Sequence, residues 1–241
     1  MSREKVRLLH TSDVHLDNRI NGRDDESAAQ VGLRRVVDEA VNRGVDLLMI
    51  AGDLFDHNRV KQPTLDFTNE QLARLDCPVV MITGNHDCFA SYSIYHKYDP
   101  TAYEANVHFI RDDAGDAVKF DDLGLTIWGR GIIDHDPDNR PLFDVPGRSD
   151  DEWYLGMAHG YYVPRGAKAY SSLITAEEIA AAEFDYLALG HVHVYTEIEH
   201  EGTRAAYPGS PNKDQGAKDM TAALVELNPS TGVQLSSIKL D

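Results

Sequence analysis

The sequence predicts an α/β protein built on two packed, mixed β-sheets flanked by helices. Three observations predict it. The first ~90 residues read strand, helix, strand, helix, strand, and crossover helices of this kind imply a parallel sheet. The second half reads mostly as short strands with few helices, which implies a second sheet packed on the first. Successive strands also end on carboxylate, amide or imidazole residues. This points to one site on the carboxyl edge, where open α/β sheets bind ligands.

Taken in order, Val6 to Leu9 is a first buried strand that runs into His10-Thr11-Ser12-Asp13-Val14-His15. Asp13 and His15 stand two apart, which in extended backbone points them the same way. Residues 27–43 form a helix, with Leu33, Val36, Val37, Ala40 and Val41 on one apolar face and Gly44 placed to cap its end. Val45 to Ala51 is a second buried strand ending at Gly52-Asp53-Leu54-Phe55-Asp56. Residues 63–75 fit a second helix with Pro63 near its start. Pro78 to Ile82 is a third strand, and it ends at Thr83-Gly84-Asn85-His86-Asp87. Gly84 supplies a sharp turn there, since glycine takes positive φ without steric cost.

Residues 91–104 are helical or irregular, with Tyr92, Tyr95, Tyr98 and Tyr103 as packing groups beside the site. Strands follow at 107–110, 117–120 and 125–128, then a long exposed loop over 134–152. Leu155 to Ala158 leads to His159-Gly160. A short helix over 175–183 starts with Thr175 and Glu178 in capping-box spacing. Phe184 to Leu189 is an apolar run ending at Gly190-His191-Val192-His193, where the i, i+2 spacing puts both imidazoles on one face. The remaining strands are 194–199, 203–207, 221–227 and 233–240, with a rigid turn at Tyr207-Pro208-Gly209-Ser210-Pro211.

The 241 residues suffice for a full core, and no linker, low-complexity run or repeat divides them, so one domain over 1–241 is expected. Lys plus Arg number 23 against 40 Asp plus Glu, a net charge of −17. That balance disfavours unassisted binding to a polyanion, although bound divalent cations reverse the local field for a phosphate-bearing substrate. Cys77 and Cys88 have neither zinc spacing nor a paired framework and read as free thiols in a reducing compartment. The N-terminus has no signal-peptide apolar region, and no apolar run is long enough to cross a bilayer. A soluble cytoplasmic protein is therefore expected.

The residues gathered at strand ends are Asp13, His15, Asp53, Asn85, His86, His159, His191 and His193. Five of the 11 histidines fall there. Oxygen and imidazole donors without a thiolate suit manganese, iron or zinc. Eight such groups exceed what one ion needs and match two ions sharing a bridging carboxylate. A lone histidine after a strand is more often a hydrogen-bonded structural residue; it is the conjunction of five pieces at five strand ends that points to a site.

Asp13-x-His15, Gly52-Asp53-x-x-Asp56, Gly84-Asn85-His86-Asp87, His159-Gly160 and Gly190-His191-x-His193 together resemble the calcineurin-like metallophosphoesterase family. The resemblance implies that family's four-layer sandwich. It implies that Asp13, His15, Asp53 and His193 hold a first divalent ion, that Asp53 bridges, and that Asn85, His159 and His191 complete a second. Manganese is the leading ion, with iron and zinc open. By the same resemblance, His86 binds no metal but stabilises or protonates the leaving oxygen, and Asp56 orients it. A hydroxide shared by the ions then attacks phosphorus in line.

The opening His10 to Leu16, the Gly52-Asp53-Leu54-Phe55-Asp56 piece and the Tyr207 to Pro211 turn are similar to the DNA-repair nuclease branch of the SbcD and Mre type. This implies a phosphodiester substrate such as DNA. The chain reaches Asp241 shortly after that turn, so neither that branch's capping domain nor its ATPase-docking segment is expected. The resemblance raises an ATPase partner and a homodimer, but the residues name a surface for neither. Arg59, Lys61, Arg130, Arg165, Lys168 and Lys213 lie near motif ends and read as ordinary surface charges before phosphate contacts. Two alternatives stay open: a phosphodiesterase or phosphatase for small molecules such as cyclic nucleotides, and a non-catalytic scaffold on the same fold.

Overall fold

The computed structural model describes residues 3–20, 22, 25–134, 136, 138–149, 152–163, 172–216 and 218–240. The elements run β1 (Val6–Thr11), α1 (Ala28–Arg43), β2 (Leu47–Ala51), α2 (Gln62–Leu72), β3 (Val79–Ile82), β4 (Val107–Ile110), β5 (Asp116–Phe120), β6 (Leu125–Gly129), β7 (Trp153–His159), β8 (Tyr161–Val163), β9 (Leu173–Thr175), α3 (Ala176–Ala181), β10 (Tyr186–Gly190), β11 (Tyr195–His200), β12 (Thr203–Pro208), β13 (Thr221–Asn228) and β14 (Gly232–Lys239).

Two six-stranded mixed sheets result, as the sequence predicts. The first has the order β14-β13-β1-β2-β3-β4, with β1 to β4 parallel and β13 antiparallel to β1. The second has the order β11-β12-β10-β7-β6-β5, with a parallel centre and antiparallel edges. The apolar runs are continuous because the central strands are buried on both faces. In β2, Leu47, Met49 and Ala51 face the second sheet, while Leu48 and Ile50 face α1 and α2. In β10, Tyr186 and Ala188 face inward, while Leu187 and Leu189 pack under Ile179 of α3. Helices, sheet, sheet and a thinner outer layer thus alternate.

The helix ends follow their sequence signals. Ser27 and Gln30 close a capping box on α1, and Gly44 ends it in the left-handed conformation at φ 55°. Thr175 and Glu178 do the same at the start of α3. The tyrosine-rich segment forms two short 3-10 turns, with Tyr95 and Tyr98 buried and Tyr92 and Tyr103 exposed.

Two details differ from expectation. The described part of 134–152 is not simply an exposed loop: Leu142 is buried in the outer cluster of the second sheet. Arg140 pairs with Glu178 at 2.8 Å and Arg148 with Asp185 at 2.8 Å, which pins the segment there. The short parallel pair β8 and β9 escapes the sequence, because three-residue strands show too little alternation to read. Cys77 and Cys88 are both free. Among the described residues no helix is long and apolar enough to cross a membrane.

Candidate metal centre

Strands of both sheets point at the site, and most of its chemistry is carried by the loops that follow them. Asp13 and His15 follow β1, Asp53 follows β2, Asn85 and His86 follow β3, His159 ends β7, and His191 and His193 follow β10. Both sheets therefore contribute their carboxyl ends to one place. Asp13 (φ 56°), His15 (φ 52°), Asp53 (φ 53°) and His191 (φ 105°) all have positive φ. Non-glycine residues held this way cost on the order of 1–3 kcal/mol each and persist where the surroundings over-determine them.

Here backbone lacing does so. Asp13 N donates to the Gly52 carbonyl (3.1 Å), His15 N to that of Asp53 (3.0 Å), Leu16 N to that of Leu54 (2.9 Å) and Asp56 N to that of Leu16 (2.9 Å). The loops after β1 and β2 form one body. This corrects the expectation that Asp13 and His15 meet through extended alternation: the backbone between them is left-handed at both residues.

Each carboxylate commits one oxygen to the backbone and turns the other towards the imidazoles. Asp13 Oδ2 accepts from His191 N (2.9 Å) and from the Ser12 hydroxyl. Its Oδ1 has no hydrogen-bond partner; it faces His193 Nε2 at 3.4 Å and His15 Nε2 at 3.8 Å. Asp53 Oδ1 accepts from His86 N (2.8 Å), while Oδ2 faces His159 Nε2 at 3.3 Å and His15 Nε2 at 3.8 Å.

The imidazoles repeat the pattern. His159 Nδ1 lies 2.8 Å from the Ala51 carbonyl and His193 Nδ1 lies 3.1 Å from the Gln215 carbonyl, so each donates outward and presents Nε2 inward. Asn85 Oδ1 is 3.1 Å from His159 Nε2 and 3.0 Å from His191 Nδ1.

The residues fit divalent ions on this geometry. Asp13 Oδ1, buried with no hydrogen-bond partner, and Asp53 Oδ2 face imidazole nitrogens at 3.3–3.8 Å, the spacing of two ligands that each stand about 2 Å from a shared cation. Asp13, His15 and His193 form one group of converging ligand atoms, and Asp13, Asp53 and His159 form another. Asp53 Oδ2 faces both His15 and His159. His86 forms a third group with His15 and Asp53. It differs from the buried histidines in standing at the rim, its side chain 42% exposed.

His191 and His193 do not share a face as the i, i+2 spacing predicts. Positive φ at His191 splits them: His191 packs on His159 and Asn85, while His193 packs on His15 and Asp13. Gly84 likewise has a different reason from the one expected. It is not among the positive-φ glycines; Gly52, at φ 87°, is. A Cβ on Gly84 would lie 2.5 Å from Asp53 N and collide with the Asp53 carboxylate, so space demands glycine there.

The ionisation of the site follows from this crowding. Burial opposes charge on Asp13, but the imidazoles of His15 and His193 that face it prevail and hold its carboxyl well below the usual range. Burial also opposes charge on His159, and the Asp53 carboxylate overrides it, raising the imidazole to about 9. His191 goes the other way: burial and the neighbouring His159 charge lower it to about 4.

Several supporting residues carry little sequence signal. Asp87 is fully buried and accepts from Gly84 N (2.7 Å), Phe55 N (3.2 Å) and the Tyr95 hydroxyl (2.8 Å), tying the loops after β2 and β3 together. Ser210 Oγ donates to the Asp13 carbonyl (2.7 Å) and Asn212 Nδ2 to that of Val14 (3.0 Å). The Tyr207 to Pro211 turn is thus a buttress under Asp13. Of the cations noted near motif ends, Arg130 donates to the Arg140 carbonyl (3.0 Å), and Arg59, Lys61 and Lys213 are exposed. Arg165 and Lys168 lie outside the described residues.

The family model for calcineurin-like phosphoesterases matches residues 6–195, most of the chain and the whole site. The chain belongs to the calcineurin-like phosphoesterase family. Members of this family are phosphoesterases whose fold uses a binuclear divalent metal centre. Among curated relatives, the DNA double-strand break repair protein Mre11 of Methanopyrus kandleri is 27% identical over 219 residues, covering 86% of this chain and 49% of its own. The SbcD component of the SbcCD nuclease of Bacillus subtilis is 26% identical over 245 residues, covering 86% and 61%. The chain therefore spans about half to three-fifths of these relatives. Among solved structures, a purple acid phosphatase from yellow lupin (Lupinus luteus) superposes with a TM-score of 0.63 at 12% identity, covering 99% of this chain and 52% of that one, which is a likeness of fold.

Proposed function

We propose that this chain is a two-metal-dependent phosphodiester hydrolase acting on DNA, at ends, on single strands or on short oligonucleotides. Residues 1–241 are read as one metallophosphoesterase domain. The observation that carries the reading is the set of converging inward atoms: Asp13 Oδ1, Asp53 Oδ2 and the Nε2 atoms of His15, His159 and His193.

In this reading Asp13, His15, Asp53 and His193 hold one ion, and Asn85, His159 and His191 complete a second around Asp53. Bound there, two divalent ions supply positive charge for the phosphoryl oxygens and lower the pKa of water towards neutrality. Manganese is the ion we assign first, with iron and zinc also suited to these donors. The protein's own part is positioning. Backbone N–H groups of His191 and His86 hold the two carboxylates, and carbonyls of Ala51 and Gln215 fix two imidazole tautomers. His86 stands at the rim, its Nδ1 donating to the Asp56 carbonyl at 2.9 Å, and is the group placed to serve a leaving oxygen. The relatives named for DNA break repair and for nuclease activity support DNA as substrate.

One observation favours a second reading. A net charge of −17 supplies few cations for a long duplex, which suits a small diester better. The discriminating experiment uses manganese-loaded protein with His86→Ala as control. One arm offers end-labelled single- and double-stranded DNA, the other bis-p-nitrophenyl phosphate and cyclic nucleotides. DNA degradation that vanishes in the variant is the expected result. Turnover of the small diesters alone transfers the protein to the second reading.

A further inference from the structure

The Asp56 carboxylate has two imidazoles within reach. Its Oδ1 is 3.3 Å from His15 Nδ1 and 3.5 Å from His86 Nδ1. Distance alone does not choose between them; burial and hydrogen-bond supply do. A neutral imidazole has one N–H to give. His86 Nδ1 already lies 2.9 Å from the backbone carbonyl of Asp56, in good hydrogen-bond geometry. His86 is also 42% exposed, so water can serve it. His15 has neither resource. Its side chain is 1% exposed, and neither ring nitrogen has a hydrogen-bond partner. With Nε2 turned to Asp13 and Asp53, its Nδ1 is the outward nitrogen, and Asp56 Oδ1 stands beside it. A buried N–H without an acceptor costs about 1–3 kcal/mol, which an exposed one escapes.

The backbone holds Asp56 in that place. Asp56 N donates to the Leu16 carbonyl at 2.9 Å, and Leu16 bridges Phe55 in parallel register. The carboxylate therefore rides on the same laced pair of loops that carries His15, whereas His86 arrives from the loop after β3. An imidazole that ligates a metal generally gives its other N–H to a carboxylate or carbonyl, which fixes its tautomer. His159 and His193 do so with carbonyls of Ala51 and Gln215. For His15 the only such acceptor within 4 Å among the described ion pairs is Asp56.

We infer that the Asp56 carboxylate is a positioning residue for His15, and that His86 is held by the Asp56 backbone carbonyl instead. This rests on the proposed role of His15 as an ion ligand. It assigns the side chain to ion binding and the main chain of the same residue to the leaving-group histidine. Side-chain substitution therefore separates the two.

The test reads ion binding, not turnover. Manganese is titrated into the full chain and free ion is followed by electron paramagnetic resonance. Asp56→Ala is expected to weaken one of the two ions by about 10–100-fold. Asp56→Asn keeps an acceptor and is expected to recover most of that loss. A second readout is the nitrogen-15 imidazole spectrum of zinc-loaded protein. His86 is expected to keep its Nδ1–H tautomer in both variants, while His15 loses a single tautomer in Asp56→Ala.

Ion affinity equal to wild type in Asp56→Ala, with the His86 tautomer lost, would overturn the inference and return the carboxylate to His86. If the alanine variant does not fold, the tautomer readout on Asp56→Asn carries the test: a His86 signal displaced while that of His15 is unchanged overturns the inference, and a His86 signal left in place supports it. Wild-type protein that takes up no divalent ion would instead sink the proposed function.

Discussion

His86 and His191 sit in the same cluster yet differ in what surrounds them. His191 is half-buried with Nδ1 3.0 Å from Asn85 Oδ1, and its own backbone N–H holds Asp13. His86 stands at the rim and anchors Nδ1 outward on a carbonyl. Removing His191 takes a donor from the interior; removing His86 takes one from the edge. His86→Ala is expected to keep two ions per chain and lose most turnover, about 10²–10⁴-fold for a group that moves a proton. His191→Ala is expected to retain one ion. Metal content by mass spectrometry after desalting checks both, and a depleted His86→Ala would merge the ligand and catalytic roles that the proposal keeps apart.

At the scale of elements, the loops are held from behind by a segment far away in sequence. Ser210 and Asn212, on the turn between β12 and β13, donate to carbonyls of Asp13 and Val14. Both side chains are buried, so their removal leaves acceptors without donors. Ser210→Ala is expected to lower stability by about 1–3 kcal/mol and to weaken manganese binding as well. Ser27→Ala removes the α1 capping box, costs about 1 kcal/mol and leaves ion affinity unchanged, because the bonds it removes run only between Ser27 and Gln30. Urea denaturation paired with ion titration separates the two. Ser210 shows how far the site was legible: the turn stands out in the sequence, but its contact with Asp13 spans 197 positions and no local pattern encodes it.

At the scale of the whole molecule, the two sheets close over a buried histidine behind the site. His10 Nδ1 and the Tyr186 hydroxyl share a hydrogen bond of 2.7 Å across the inter-sheet core. Burial, only partly opposed by the Asp13 charge, lowers its imidazole to about 3. The unfolded chain takes up this proton near the ordinary value of 6.5 and the folded chain does not. Stability from a neutral His10 is therefore present above about 6.5 and lost as pH falls towards 3, on the order of 3 kcal/mol by pH 4. His10→Gln keeps an acceptor for Tyr186 and is expected to flatten this loss by up to one proton. Urea midpoints from pH 7 to 4, measured with chelator present, read the difference between variant and wild type; identical slopes would show that His10 is hydrated in the folded protein.

By itself the sequence determined the strand and helix order, the capping box at Thr175 and Glu178, the Gly44 cap, and the positions of Asp13, Asp53, Asn85 and His159 at strand ends. These follow from periodicity and local chemistry, which act over a few residues. It did not determine how those residues face one another. Alternation put Asp13 with His15 and His191 with His193 through extended backbone, and turn preference explained Gly84. The structure uses left-handed residues for the first two and a tight approach to Asp53 for the third. Only the tertiary structure decided which oxygen of each carboxylate is tied to the backbone, which nitrogen of His159 and His193 points inward, and that Asp56 stands within reach of both His15 and His86. The reason is physical: each is settled by a donor or acceptor from another strand's loop, and those partners meet only once the two sheets have packed.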